Sequence, residues 1–260
     1  SDKVDDNDKS KYENYICQAE LVGEVSLPAD DAVHQDAATE WWYYTGHLQT
    51  KEGRWFGMEL TVFRVPTEDA DFLMAHFAIS DIENGTFHYT VKADEDLNGV
   101  IDDSFFFSLD GVEISGSDGE DILRGQVDDY IMEIELQALK PAVFQHGNGY
   151  KDYDFGGYTY YYSRPRMSAK GTITIGEEQF EVEGLAWFDH QWGDMTEAVK
   201  RGWTWIAVQT DDNREIMLFL FENDNSIVDV DGSIYDDECQ IITLSEGEGA
   251  NIDVEVEVLG

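Results

Sequence analysis

"EWWYYTGHL", residues 40–48, sets four large aromatic side chains in a row between a carboxylate and a histidine. In an extended strand, successive side chains point to opposite faces. Glu40, Trp42 and Tyr44 then share one face, and Trp41, Tyr43 and His47 share the other. Both faces are aromatic. Such a strand must be covered on both sides or look into a ligand cavity on one, as in a β-barrel with an interior pocket. The plainer alternative pairs Glu40 with Arg54 or Arg64 and leaves the aromatics as packing.

The same period of two runs outward along the chain. It recurs in "WFGMELTVFRV" (55–65), "FLMAHFAI" (72–79), "SFFFSLDGVEIS" (104–115) and "YIMEIELQAL" (130–139). "GYTYYYSRPRMSAKGTITI" (157–175) and "EEQFEVEGLAWF" (177–188) continue it. Gly, Asp and Asn clusters separate these runs, the pattern of many short antiparallel strands in a barrel or sandwich. Helix signals are scarce: "DMTEAVKRG" (194–202) predicts a turn or two, with Gly202 as its stop. A fresh β run follows in "GWTWIAVQTDD" (202–212) and "REIMLFLFEND" (214–224), with a turn at Asn213–Arg214. The reading is an all-β protein with an acidic leader over 1–25, a first barrel over 26–194 and a partial second β unit over 195–260.

Composition narrows the partners. With 260 residues, 42% hydrophobic and 13% aromatic, the chain can bury a sizeable core. Against that stand 56 acidic and 16 basic residues, a net charge of −40. Phosphates would be repelled, so nucleic acid is excluded as a partner, and anionic membrane surfaces are disfavoured. No stretch approaches the roughly 20 apolar residues of a transmembrane segment. Such charge destabilises a compact state unless salt or bound cations screen it, and at ~1 M salt the screening length falls to about 3 Å. The expectation is a halophilic source or a cation-binding chain; the bland reading is an acidic surface that only keeps the protein soluble. Cys17 and Cys239 fit no metal spacing, and either pair, as export allows, or stay free thiols.

Three places suggest chemistry. "AHFAISD" (75–81) sets His76 inside an apolar strand, a weak signal alone. "GLAWFDHQWGDM" (184–195) puts His190 and Trp192 on one face, with Asp189 pointing away. An imidazole beside an indole offers a proton donor next to a π face, and protonating an alkene needs both. Glu40 is then the candidate base that activates water, while the plainer reading makes His190 and Trp192 a cap on the barrel end. "DEDLNGVIDDSF" (94–105) spaces Asp94, Asp96, Asn98 and Asp102 like a calcium loop, with the Val100 carbonyl as a further ligand. Phe105 stands where a bidentate Glu belongs and no helices flank the loop. It is therefore not an EF-hand, but an expected Ca²⁺ site of lower affinity or an acidic turn. A second run, "DVDGSIYDD" (229–237), matches less well. Serine-hydrolase, zinc-protease and phosphate-loop motifs are absent, and no organic cofactor is expected.

Taken in order, "TEWWYYTGHL", "GRWFGMELTVFR", "AHFAISD", "YYSRPRM" and "GLAWFDHQWG" resemble the CrtC/AttH-like, lipocalin-like family over about residues 30–220. That group includes carotenoid hydratases, fungal isoflavonoid hydratases and pericyclic cyclases, and bacterial members described only as secreted hydrolases. The resemblance implies two lipocalin-like antiparallel barrels with a ligand cavity near their junction. Glu40 and Trp42, His76, and His190 with Trp192 are the matching positions. In the hydratase branch the His-x-Trp pair is implicated in protonating a terminal double bond. That branch adds a Tyr and an Asp two residues apart, where this chain has Met217 and Phe219. The departure argues against carotenoid hydration itself.

The expected function is binding of a hydrophobic small molecule, an isoprenoid, polyene or polyketide, lined by Trp42, Tyr44, His76 and Trp187. The alternative is a hydratase, isomerase or cyclase with His190 as acid, Trp192 and Trp42 as cation-stabilising faces and Glu40 as base. A third class is a calcium- and salt-stabilised surface protein. The expected location is outside the cytoplasm, periplasmic, extracellular or lipid-anchored, the signal segment lying outside this chain.

Overall fold

A computed structural model describes residues 22–66, 71–94, 100–101, 103–223 and 226–245. The strands come first as β1 (Thr39–Thr50), β2 (Trp55–Pro66), β3 (Asp71–Asp81), β4 (Thr86–Asp94), β5 (Val100–Ile101), β6 (Ser104–Leu109) and β7 (Val112–Ser117). They continue as β8 (Glu120–Val127), β9 (Tyr130–Ala138), β10 (Val143–Phe144), β11 (Tyr150–Asp152), β12 (Tyr158–Ile175) and β13 (Glu178–Asp194). These thirteen form one antiparallel sheet ordered β4-β3-β2-β1-β13-β12-β9-β8-β7-β6-β5, with β10 and β11 alongside β12. One short helix, α1 (Thr196–Arg201), leads to a second sheet of β14 (Trp203–Gln209), β15 (Glu215–Asn223), β16 (Ser226–Tyr235) and β17 (Ile241–Ser245). Among the described residues, no helix is long and apolar enough to cross a membrane.

The large sheet curls until its ends meet. A Cβ on Gly125 of β8 would lie 2.5 Å from the Phe77 ring of β3, so glycine there lets the two walls touch. Tyr130 of β9 donates to Asp81 of β3 at 2.9 Å, and Lys92 of β4 reaches Asp110 at 2.7 Å. The result is a nearly closed barrel, filled by Leu60, Val62, Phe77, Ile79, Phe107, Ile114, Leu123 and Met132.

Two departures from the sequence reading have local causes. The run 104–115 is two strands, because Asp110 (φ 35°) and Gly111 (φ 89°) turn the chain back between them. Positive φ at both central residues is what a tight hairpin demands. The second acidic run is also no loop: Asp229 and Asp231 lie on β16, where Lys151 pairs with both. Of the calcium-loop residues, Asp94 ends β4 and Val100 begins β5, while Asp96, Asn98 and Asp102 lie outside the described residues. Cys239 is buried and disulfide-bonded; Cys17, the other cysteine of the chain, lies outside the described residues.

β12 and β13 carry the second sheet. Each is long, and Ala186–Gly193 of β13 is buried throughout. Phe188, His190 and Trp192 enter the barrel, while Trp187 joins a second cluster with Trp41, Tyr161, Phe219 and Phe221. In β12 the register shifts between Arg164 and Met167. Pro165, which has no N–H for the ladder, sits in this bulge. The shift changes the side-chain parity: Tyr162 and Arg164 point inward before it, and Met167, Ala169 and Ile173 after it. Arg166 is thereby turned outward onto Glu215 of β15, whose other oxygen takes Lys140 at 2.9 Å. Gln209 of β14 adds bonds to the carbonyls of Pro165 and Ala186, at 2.7 and 3.0 Å.

Candidate functional site

Where the outward faces of β1 and β13 meet the second sheet they enclose a cavity of about 300 Å³. Trp41 and Tyr43 of β1 and Phe63 of β2 form one wall, and Trp203, Trp205 and Phe219 form the opposite one. Trp41 stacks on Trp203 with centroids 6.1 Å apart, and Tyr43 meets Trp205 edge-on at 5.2 Å. Five polar side chains interrupt these walls: Glu59, Thr61, His76, Asp189 and Gln191. An adjoining hollow shares Tyr43 and Trp205 and is bounded by His47 and Trp187.

Asp189 is the most constrained of the five. Its Oδ1 accepts from Ser163 Oγ at 2.5 Å and from Trp187 Nε1 at 2.7 Å. Behind it Ser233 donates to Gln145, which donates to Ser163, so the second sheet braces the carboxyl at 2.8 Å per link. Burial pushes Asp189 up to about 7, against these hydrogen bonds, which favour the anion. Glu59, bonded to Thr61, is likewise pushed up to about 7 by burial. His76 meets Phe63 and Tyr89 edge-on at 5.1 and 5.7 Å, and burial holds it below its ordinary value. Near neutral pH the pocket thus holds two carboxyls poised between acid and base inside aromatic walls.

A carboxyl whose folded pKa exceeds its unfolded one adds stability that is complete below the unfolded value, near pH 4, and lost as pH rises through 7. Asp189→Asn removes that loss. In urea unfolding, its stability relative to the parent is expected to rise by on the order of 2 kcal/mol between pH 5 and pH 8. An unchanged difference would mean that Asp189 titrates normally.

The other face of the same strands holds a separate cluster inside the barrel. His190 lies fully buried, its Nε2 3.0 Å from Glu40 Oε1 and its ring 4.5 Å from Trp42. Residues 28–37 cross the barrel end and deliver His34, whose Nδ1 is 2.7 Å from Glu40 Oε1 and whose ring stacks on Trp192 at 3.9 Å. Arg64 Nη1 stands 3.6 Å from Glu40 Oε2 and donates to the His34 carbonyl. Burial opposes ionisation of Glu40, but the hydrogen bonds with His190 and His34 outweigh it and keep the carboxyl below its ordinary value. The segment is pinned by Asp31, which is bidentate on Arg164 at 2.8 and 3.0 Å.

The two faces sort the residues singled out in the sequence. Glu40, His190, Trp192 and Trp42 come together in the interior cluster, with Tyr44 in the core beside Phe188 at 4.6 Å. His76 lines the aromatic cavity and Trp187 the adjoining hollow, so the two groups do not meet. Met217 is buried and Phe219 forms part of the cavity wall. Sequence reasoning missed Asp189, Glu59 and His34. Asp189 pointed away from His190 as expected, but towards a cavity; Glu59 is an isolated acid on an aromatic strand face; His34 precedes the first strand, where no periodicity speaks.

A family model described as AttH-like matches residues 18–257. The chain is 27% identical to an AttH protein of Nitrosomonas europaea of known structure, with a TM-score of 0.76 over 88% of this chain and 75% of that one. Kievitone hydratase of Nectria haematococca superposes with a TM-score of 0.69 at 16% identity, over 90% of this chain and 74% of that one, a likeness of fold. No curated protein matches the chain.

Proposed function

Given that the chain belongs to the AttH-like family, we propose that it binds a hydrophobic small molecule, of the isoprenoid, polyene or polyketide class, in the cavity between barrel and second sheet. The observation that carries this reading is the aromatic lining: Trp41, Trp203 and Trp205 converge on one space with Tyr43, Phe63 and Phe219. At about 300 Å³ it matches the lower end of small-molecule sites, which are mostly apolar with a few placed polar groups. Gln191, held by Thr159 at 2.8 Å, supplies a fixed amide for a ligand hydroxyl or carbonyl. Solvent extraction of the purified protein and mass spectrometry of the extract identify what it carries. Quenching of tryptophan fluorescence by retinol, a short polyene, tests the site directly. Trp205→Ala is expected to weaken that binding at least tenfold, about 1.4 kcal/mol; equal affinity in the variant would move the ligand elsewhere.

A second reading, hydration or isomerisation of an alkene, is favoured by the two carboxyls that titrate near 7. Asp189, protonated, gives its proton to an alkene carbon; the indole faces stabilise the resulting cation. Ionised Glu59 takes a proton from the water that adds; once Glu59 releases that proton to solvent and Asp189 takes one up, the net change is addition of one water. His190 cannot reach a molecule there, since it points to the opposite side of β13. Under this reading Asp189→Asn cuts turnover by roughly 10²–10⁴; under binding alone it leaves affinity within about 1 kcal/mol and no product forms.

A further inference from the structure

The barrel-end cluster has no part in the aromatic cavity, and its proton arrangement is unusual. Glu40 Oε1 is faced by His34 Nδ1 at 2.7 Å and by His190 Nε2 at 3.0 Å. The remaining nitrogens also face oxygen: His34 Nε2 lies 3.4 Å from Asp30 Oδ1, and His190 Nδ1 lies 3.4 Å from Tyr162 Oη. Tyr162 directs its hydroxyl hydrogen at Asp31. Its oxygen can therefore only accept from His190, and a carboxylate can only accept. As a purely hydrogen-bonded cluster, both rings must carry two protons each, and His190 would do so with no solvent exposure at all.

We propose that His34, Glu40 and His190 form a binding site for one divalent transition-metal ion, with Zn²⁺ the best match. One ligand atom from each residue lies within 4.8 Å of the others. Nitrogen and oxygen ligands sit at about 2.0–2.2 Å from zinc, so tetrahedral neighbours are roughly 3.3 Å apart; the two nitrogen–oxygen spacings here are 2.7 and 3.0 Å, and the two ring nitrogens lie within 4.8 Å of each other. With the ion on His34 Nδ1 and His190 Nε2, each ring is neutral and keeps one proton on its outer nitrogen. Those protons point at Asp30 and at Tyr162, whose oxygen is held by Asp31. This is the outer-shell pattern that orients metal-binding histidines. One doubly charged ion replaces two ring protons, so the charge balance with Glu40, Asp30, Asp31 and Arg64 is unchanged. Arg64 stays on Oε2 and leaves Oε1 for the ion. Entry is open, because His34 is half-buried and, with Trp192, borders a surface hollow ringed by Glu24, Asp30 and Asp36. The ion would clamp residues 28–37 to β1 and β13.

The test is a Co²⁺ titration of chelator-treated protein in excess Mg²⁺, which occupies the surface carboxylates. One Co²⁺ per chain, with visible d–d absorption displaced by Zn²⁺, is expected. His34→Ala and the closer replacement His34→Gln, both at a partly exposed position, should weaken binding at least 100-fold while far-ultraviolet circular dichroism stays native. Glu40→Gln should do the same, and its binding is scored only if it folds; the two His34 variants decide without it. Absence of visible absorption, or binding unaltered in both His34 variants, overturns the assignment and leaves a cluster held by protons alone.

Discussion

Arg164→Met is expected to destabilise the barrel by about 3–5 kcal/mol, measured by equilibrium urea unfolding at pH 7. Arg164 and Asp31 are both buried, and their bidentate bonds of 2.8 and 3.0 Å are strengthened by donors from Tyr162 and the Asp118 amide. The methionine replaces the stem of the arginine but not its charge. Asp31 is then left as a desolvated anion that must take up a proton or pull out, dragging the segment that carries His34 with it. Removing both charges, Asp31→Asn with Arg164→Met, should recover much of the loss, since a buried pair costs less when deleted whole than when halved. A double variant no better than the single one would mean that shape, not charge, fixes this end of the barrel.

Glu215→Ala is expected to cost a similar 3–5 kcal/mol, with the damage directed at the second sheet. Its carboxylate is the shared anion of two buried cations, Arg166 and Lys140. Backbone carbonyls of Thr210 and Asp236 also accept hydrogen bonds from these cations, yet neither carries a full negative charge. Since β14 and β15 supply half the walls of the aromatic cavity, retinol quenching should fall along with stability. Hydrogen exchange resolves the effect: early loss of protection in 203–223 with the barrel strands still protected is the expected pattern. Uniform loss would show that barrel and second sheet unfold as one unit.

Much of this was legible because strands are periodic. The parity of residues 40–47 put Glu40, Trp42 and Tyr44 on one side and Trp41 and Tyr43 on the other, and the structure covers both sides. Which side held the space was not legible. That depends on where β14 comes to rest, and no local pattern encodes a contact between residues 41 and 203. The parity of β12 could not be carried past Pro165, where the bulge intervenes, though a proline inside a long strand is itself a warning. The short helix at 196–201 and the turn at Asn213 (φ 63°) were announced by their own residues. His34 was hidden for the opposite reason: it lies in an irregular segment whose course is set by Asp31 and Arg164, residues 133 positions apart.

The two-sided burial of Ala186–Gly193 gives its spacing an unusual rigidity. A point substitution there touches one compartment of the molecule. Deleting or inserting a single residue would instead exchange the neighbours, turning His190 or Phe188 to where Asp189 now looks and sending an acid into the barrel. Divergent sequences can therefore vary either set of side chains independently, but not the count between them.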